Sequence, residues 1–161
     1  MSTSFVLKLR LIFELTKPGI SRAQVLTVSI GYFLAKQTLS LDSVFFPLIL
    51  ATYLLSSAAC IANNLIEVRY DAQMERTKHR ALPSQVLTPK LAIVMMGLFF
   101  LVGVFFLSKI NVLTVCISLL TVFIYVGLYT PLKRLSWTNT LVGALPGALP
   151  LLGGWVATGT P

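Results

Sequence analysis

The chain has 161 residues, of which 56% are hydrophobic and 11% are charged, with a mean hydropathy of +0.85. This composition excludes an ordinary water-soluble domain and is typical of helical membrane proteins. The formal net charge of +8 raises the question of a nucleic-acid partner. The basic residues flank apolar stretches, as they do in membrane proteins, so we exclude nucleic acid.

The first segment, residues 4–17, predicts an interfacial helix. Arg10, Glu14 and Lys17 share one helical face, and apolar residues occupy the others, which is the pattern of a helix lying in the membrane interface. Pro18 ends this helix and begins the next one. We expect no cleavable signal peptide, because no short apolar run with a small-residue cleavage site follows a basic start.

Five apolar stretches are long enough to cross a bilayer, which takes about 20 residues per span. They cover residues 18–36, 44–65, 91–108, 111–129 and 138–157. No linker or low-complexity tract divides them, so we expect one domain over residues 1–161. The sequence therefore predicts an all-α polytopic membrane helical bundle of about five transmembrane helices, surrounded by lipid.

The basic residues are distributed unequally between the two sides of these predicted spans. Of 13 Lys and Arg residues, only Lys36 and Lys109 fall on one side; the others lie in the amino-terminal flank and in the loops after the second and fourth spans. The positive-inside rule then predicts that the amino terminus and the loop after the second span lie in the cytoplasm, or in an organelle's matrix.

Polar side chains recur every fourth position from the end of the second span: Asn63, Glu67, Asp71, Glu75 and His79. Four residues advance a helix by about 400°, so successive side chains drift by only about 40° around it. This pattern predicts that the second span continues as a helix beyond the hydrocarbon and ends near Pro83. The alternative is a polar hairpin between two membrane helices, wetted by solvent.

Asn63, Glu67 and Asp71 together form what we call the oxygen face. Carbonyl and carboxylate oxygens are hard donors that suit Mg²⁺, which completes its shell with water and substrate phosphate. Nearby basic residues would then meet the remaining phosphate charge; they are Arg69, Arg76, Lys78 and Arg80.

The fifth span contains a tandem repeat, Gly-Ala-Leu-Pro at 143–146 and again at 147–150, followed by Gly153 and Gly154. Glycines four apart allow two helices to approach closely. Prolines four apart free backbone carbonyls and kink the helix, which membranes tolerate where a helix lines a cavity. The sequence leaves both interpretations open.

Two stretches resemble the UbiA-type intramembrane prenyltransferases. Residues 63–83 are similar to the first aspartate-rich motif of that superfamily, N-x3-D-x3-D followed by M-x-R-T-x-x-R. Residues 129–155 are similar to its protohaem IX farnesyltransferase (haem O synthase) branch, with the pattern Y-T-x-L-K-R, N-T-x-x-G-A and G-A-x-P. The segment from Leu15 to Pro18 also resembles the family's approach to its first span.

The resemblance implies farnesyl transfer from farnesyl diphosphate to a vinyl group of protohaem IX, giving haem O for haem A biosynthesis. It implies catalytic and Mg²⁺-binding roles for Asn63, Glu67 and Asp71. It also implies a bacterial or mitochondrial inner membrane. The candidate diphosphate-binding residues are Arg76, Lys78, Arg80, Lys133 and Arg134; for the last two, positive-inside anchoring is the slightly favoured explanation.

The chain resembles the amino-terminal half of that family, whose members have about nine spans and a second aspartate-rich motif. Glu67 stands in place of the first aspartate, and no second D-x3-D occurs in these residues. Two alternatives therefore stay open. One is a non-catalytic half, or a subunit that pairs with a complementary chain carrying the second motif. The other is prenyl transfer to a quinone precursor such as 4-hydroxybenzoate.

Overall fold

Five long helices make up the computed structural model, which describes residues 10–133, 135 and 137–159. We number them α1 (Pro18–Lys36), α2 (Phe45–Asp71), α3 (Pro89–Ser108), α4 (Val112–Phe123) and α5 (Asn139–Ala157). A π-helical segment, Ile124–Tyr129, continues α4 without a break into a last helical turn, Thr130–Leu132. The predicted all-α bundle is confirmed, because each helix corresponds to one predicted span.

Four of the described helices are long and apolar enough to cross a membrane: α2, α3, the continuous helix Val112–Leu132, and α5. The helix α1 is 19 residues long but is less apolar. One of its polar side chains has a partner on α2 inside the bundle: the Ser21 hydroxyl lies 3.3 Å from that of Ser57. The first predicted span is therefore present as a helix, although its composition alone does not qualify it as a span.

The helix α1 packs between α2 and α5, while α3 covers α2 and α4 packs against α5. Two glycines permit the close contact of α1 with α5. A Cβ added at Gly154 would lie 2.0 Å from the carbonyl oxygen of Val28, and one at Gly31 would lie 1.9 Å from that of Leu151. A Cβ at Gly147 would meet nothing within 4 Å. The close approach of α1 thus occurs at the end of α5, outside the tandem repeat, whereas Gly143 within the repeat lies against the ring of Tyr129.

The prolines of α5 do free a carbonyl, as the repeat suggested. Pro150 has no N–H to donate to the carbonyl of Pro146, four residues earlier. The Nε2 of Gln24 on α1 donates to that carbonyl instead, at 3.1 Å. Both prolines line a cleft in the bundle, so α5 combines close packing with cavity lining.

The helix α2 ends at Asp71, which corrects the predicted continuation toward Pro83. Residues 72–87 form a series of turns, so Glu75 and His79 do not extend the helix. The Thr77 hydroxyl donates to the backbone carbonyl of Asp71 at 2.9 Å. Such a local side-chain bond offers the backbone an alternative to the helical one.

The helical segment before α1 also differs from its prediction. Residues 10–15 are helical, and residues 4–9 lie outside the described part of the chain. Arg10 and Glu14 form an exposed ion pair at 2.9 Å. Lys17 does not share their helical face, because its backbone is left-handed, with φ of 47°.

On the opposite side of the bundle, Asp42 joins α1 to α2. Its carboxylate accepts hydrogen bonds from the amides of Val44 and Phe45, from the Tyr32 hydroxyl, and from Lys36 at 2.5 Å. The bonds from Lys36 and Tyr32 hold the pKa of the Asp42 carboxyl well below its usual range.

Candidate functional site

The oxygen face lies inside the bundle, at the end of α2. Asn63, Glu67 and Asp71 are only 3%, 5% and 6% exposed. Buried polar groups are costly unless they are paired. The alternative of a solvent-wetted hairpin is therefore wrong for these three residues.

Among the described residues, each member of the oxygen face contacts a basic side chain. Lys17 donates to Asn63 Oδ1, Lys133 lies 3.2 Å from a Glu67 carboxylate oxygen, and Arg80 lies 2.8 Å from one of Asp71. These cations come from three separate segments: the turn before α1, the turns after α2, and the end of the α4 helix. The fold thus surrounds three oxygen donors with three positive charges.

Sequence reasoning missed Lys17 as a site residue. It comes directly before Pro18 in the segment that resembles the family, but nothing local indicates that its side chain reaches α2, 46 residues away. Burial lowers the pKa of the Lys17 ammonium; the nearby cations Arg80 and Lys133 also lower it, while the Glu67 carboxylate opposes this shift.

Thr130 holds the amide of Asn63 and was also missed. Asn63 Nδ2 donates to the Thr130 hydroxyl at 3.1 Å, and that hydroxyl donates to the carbonyl of Tyr125 at 2.8 Å. π-Helical turns of this kind occur often at functional sites. Because the amide nitrogen is bound to Thr130, the Asn63 carbonyl oxygen is turned toward Lys17.

The five basic residues that were predicted to bind phosphate do not all lie at the oxygen face. Two of them contact the oxygen face, as described above. Lys78 instead pairs with Glu75 at 2.7 Å on the surface, and Arg76 is exposed. Arg134 lies outside the described residues.

The donors present fit a magnesium ion by their chemistry. Two carboxylates and one amide carbonyl are the hard oxygen ligands that Mg²⁺ takes in proteins. The described residues contain no cluster of three or more His, Cys, Asp or Glu side chains; for an ion held by Glu67 and Asp71, the amide oxygen of Asn63 would be the third protein ligand. A cation held there would replace Arg80 and Lys133 as partner of the two carboxylates.

An apolar cleft adjoins this polar cluster. Its lining comes from α1, α2, α4 and α5 and includes Cys60, which lies one turn before Asn63. A second opening shares Gln24, Tyr125 and Pro146 with the cleft. The site therefore offers charged groups at one end and an apolar slot beside them.

These features define a class of protein: a membrane helical bundle with a buried charged cluster at the end of an apolar cleft. The chain belongs to the UbiA prenyltransferase family, whose sequence profile matches residues 25–161. The predicted resemblance is thereby confirmed.

The curated relatives that the chain matches belong to one branch of this family, the protoheme IX farnesyltransferases. The protoheme IX farnesyltransferase of Christiangramia forsetii is 36% identical over 144 residues, which are 89% of this chain and 48% of that protein. Protoheme IX farnesyltransferase 2 of Pseudomonas fluorescens is 39% identical over 153 residues, 94% of this chain and 52% of the relative. The chain thus spans about half the length of the curated relatives it matches, and corresponds to their amino-terminal part. No solved structure matches it significantly.

Proposed function

We propose that this chain takes part in farnesyl transfer from farnesyl diphosphate to a vinyl group of protohaem IX, giving haem O. The observation that carries the proposal is the buried oxygen face, with three cations around it and an apolar cleft beside it. The acceptor is inferred from the names of the curated relatives.

The polar cluster would bind the diphosphate. Arg80 and Lys133 would turn from the carboxylates to the phosphate oxygens, with which cations make strong charge-assisted hydrogen bonds. Asn63, Glu67 and Asp71 would hold Mg²⁺, which supplies Lewis-acid stabilisation of the leaving group. Charge that develops on the diphosphate as the allylic C–O bond breaks would be met by the same side chains.

The cleft would hold the farnesyl chain and exclude water from its reactive carbon. Diphosphate leaves with the electron pair of the C–O bond, and the π electrons of a protohaem vinyl group form the new C–C bond. Water then adds to the resulting porphyrin-side carbocation and loses a proton, leaving a hydroxyl. A dry cleft limits direct hydrolysis of the allylic cation before this capture.

The proposal includes a location and a partner. The excess of basic residues beside the oxygen face supports a location on the cytoplasmic side of a bacterial inner membrane, or on the matrix side in mitochondria. Since family members carry a second aspartate-rich motif, a complementary segment or chain would supply it.

Haem O formation tests the proposal. Membranes containing the protein are supplied with protohaem, farnesyl diphosphate and Mg²⁺, and products are separated by chromatography. Asp71→Asn is expected to lower the rate at least about a hundredfold, since it removes a buried charge from the phosphate site. Glu75→Gln is the matched control, because the Glu75 side chain is 89% exposed.

Three results would contradict the proposal: no haem O from the unmodified protein, equal rates for Asp71→Asn and the control, or preferential prenylation of 4-hydroxybenzoate in parallel reactions.

A further inference from the structure

Among the described cations of the site, Lys17 is the one that makes no direct ion pair. Arg80 and Lys133 each face a carboxylate, whereas Lys17 donates to the neutral amide oxygen of Asn63. No ion pair within residues 10–133, 135 and 137–159 includes Lys17. A sheltered cation without an opposite charge is costly, and its cost falls when an anion binds beside it.

The backbone holds Lys17 in this place. Its φ of 47° is left-handed, a conformation that costs a non-glycine residue free energy and that concentrates at functional sites. The turn is fastened to α2 by Asn64, whose Nδ2 donates to the carbonyl of Leu15 at 2.8 Å. The Ser21 hydroxyl donates to the carbonyl of Thr16 at 3.2 Å. The fold therefore maintains a strained turn that aims one ammonium group at the oxygen face.

We infer that Lys17 is a diphosphate-binding residue, which exchanges the Asn63 oxygen for the diphosphate when a divalent cation binds the oxygen face. Asn63 Oδ1 either accepts the hydrogen bond of the Lys17 ammonium or binds the metal. When it binds the metal, the ammonium is released and can bind the phosphate oxygens. This inference rests on the proposed function, since it assigns a residue to the same diphosphate site.

Binding of inorganic pyrophosphate tests this role without turnover. The full chain is purified in detergent, and calorimetry gives Kd for Mn²⁺ alone and Kd for pyrophosphate at saturating Mn²⁺. Lys17→Gln is expected to raise the pyrophosphate Kd about tenfold or more, the effect of losing one hydrogen bond from a charged donor. It is expected to leave the Mn²⁺ Kd unchanged or lower, because Asn63 loses a competing cation.

Two further variants control for charge and folding. Arg22→Gln removes the same charge from an exposed side chain nearby and is expected to bind pyrophosphate as the unmodified chain does. Lys17→Arg keeps the charge and is expected to bind within a few-fold of the unmodified chain, with the helical circular dichroism retained.

The inference alone is overturned if the unmodified chain binds pyrophosphate, Asp71→Asn weakens that binding, and Lys17→Gln does not. An equal loss in Lys17→Arg and Lys17→Gln also overturns it, because charge would then not be the cause. A failure of the unmodified chain to bind pyrophosphate with Mn²⁺ overturns the proposed function together with this inference.

Discussion

The side-chain amide of Asn63 makes two hydrogen bonds: its nitrogen donates to the Thr130 hydroxyl, and its oxygen accepts from Lys17. Partners behind a metal ligand fix its orientation, and their loss typically costs 10–100-fold in metal affinity. Under the proposed function, Thr130 would therefore act as a positioning residue for Asn63.

We predict that Thr130→Val raises the Mn²⁺ Kd about tenfold, because valine keeps the shape of threonine but cannot hold the amide. Thr27→Val is the control, since the exposed Thr27 hydroxyl bonds only to the carbonyl of Ala23 in its own helix. Titration calorimetry of both variants measures the effect. An unchanged Kd in Thr130→Val would show that Asn63 needs no such support.

The sequence predicts the oxygen face but not its partners. Asn63, Glu67 and Asp71 are found from helical spacing alone, which is a local property. Thr130 and Lys17 lie 67 and 46 residues from Asn63, and no local pattern encodes a contact over that distance. Lys78 pairs with Glu75 and Arg76 is exposed, because α2 ends at Asp71 and the turns after it carry these side chains away from the oxygen face.

At the scale of the helices, the contact of α1 with α5 depends on which glycine faces the neighbouring backbone. Gly154 lies against the Val28 carbonyl, whereas Gly147 has open space where its Cβ would be. The sequence shows six glycines and prolines at short spacings in α5 but not the rotation of the helix. For this reason both interpretations of the repeat stayed open until the fold was known.

We predict that Gly154→Ala lowers the free energy of unfolding by about 1–3 kcal/mol or more, since the added methyl cannot fit without moving a backbone. Gly147→Ala is the matched control and is expected to be neutral or stabilising by up to about 1 kcal/mol, because alanine favours helix more than glycine does. Denaturant titration of the detergent-solubilised chain measures both. Equal stabilities of the two variants would contradict the packing described for α1 and α5.

The whole molecule places a charged cluster and an apolar cleft next to each other by bringing four helices together. Hydropathy predicts the five helices well, because lipid selects for long apolar stretches. It does not predict which helices are neighbours, and the cleft arises from that arrangement. The helix α1 lies between α2 and α5, and its polar side chains Ser21 and Gln24 bond to these two helices. This helix can therefore be less apolar than the others.

The central claim is that the oxygen face holds a divalent cation together with the diphosphate of an isoprenoid substrate. Electron–nuclear double resonance of Mn²⁺ tests it directly, with the chain loaded with farnesyl thiodiphosphate, an unreactive analogue. We predict a phosphorus-31 coupling to bound Mn²⁺ in the unmodified chain and in the Glu75→Gln control. We predict that the coupling disappears when Glu67→Gln and Asp71→Asn are combined, and a coupling of full strength in that double variant would contradict the claim.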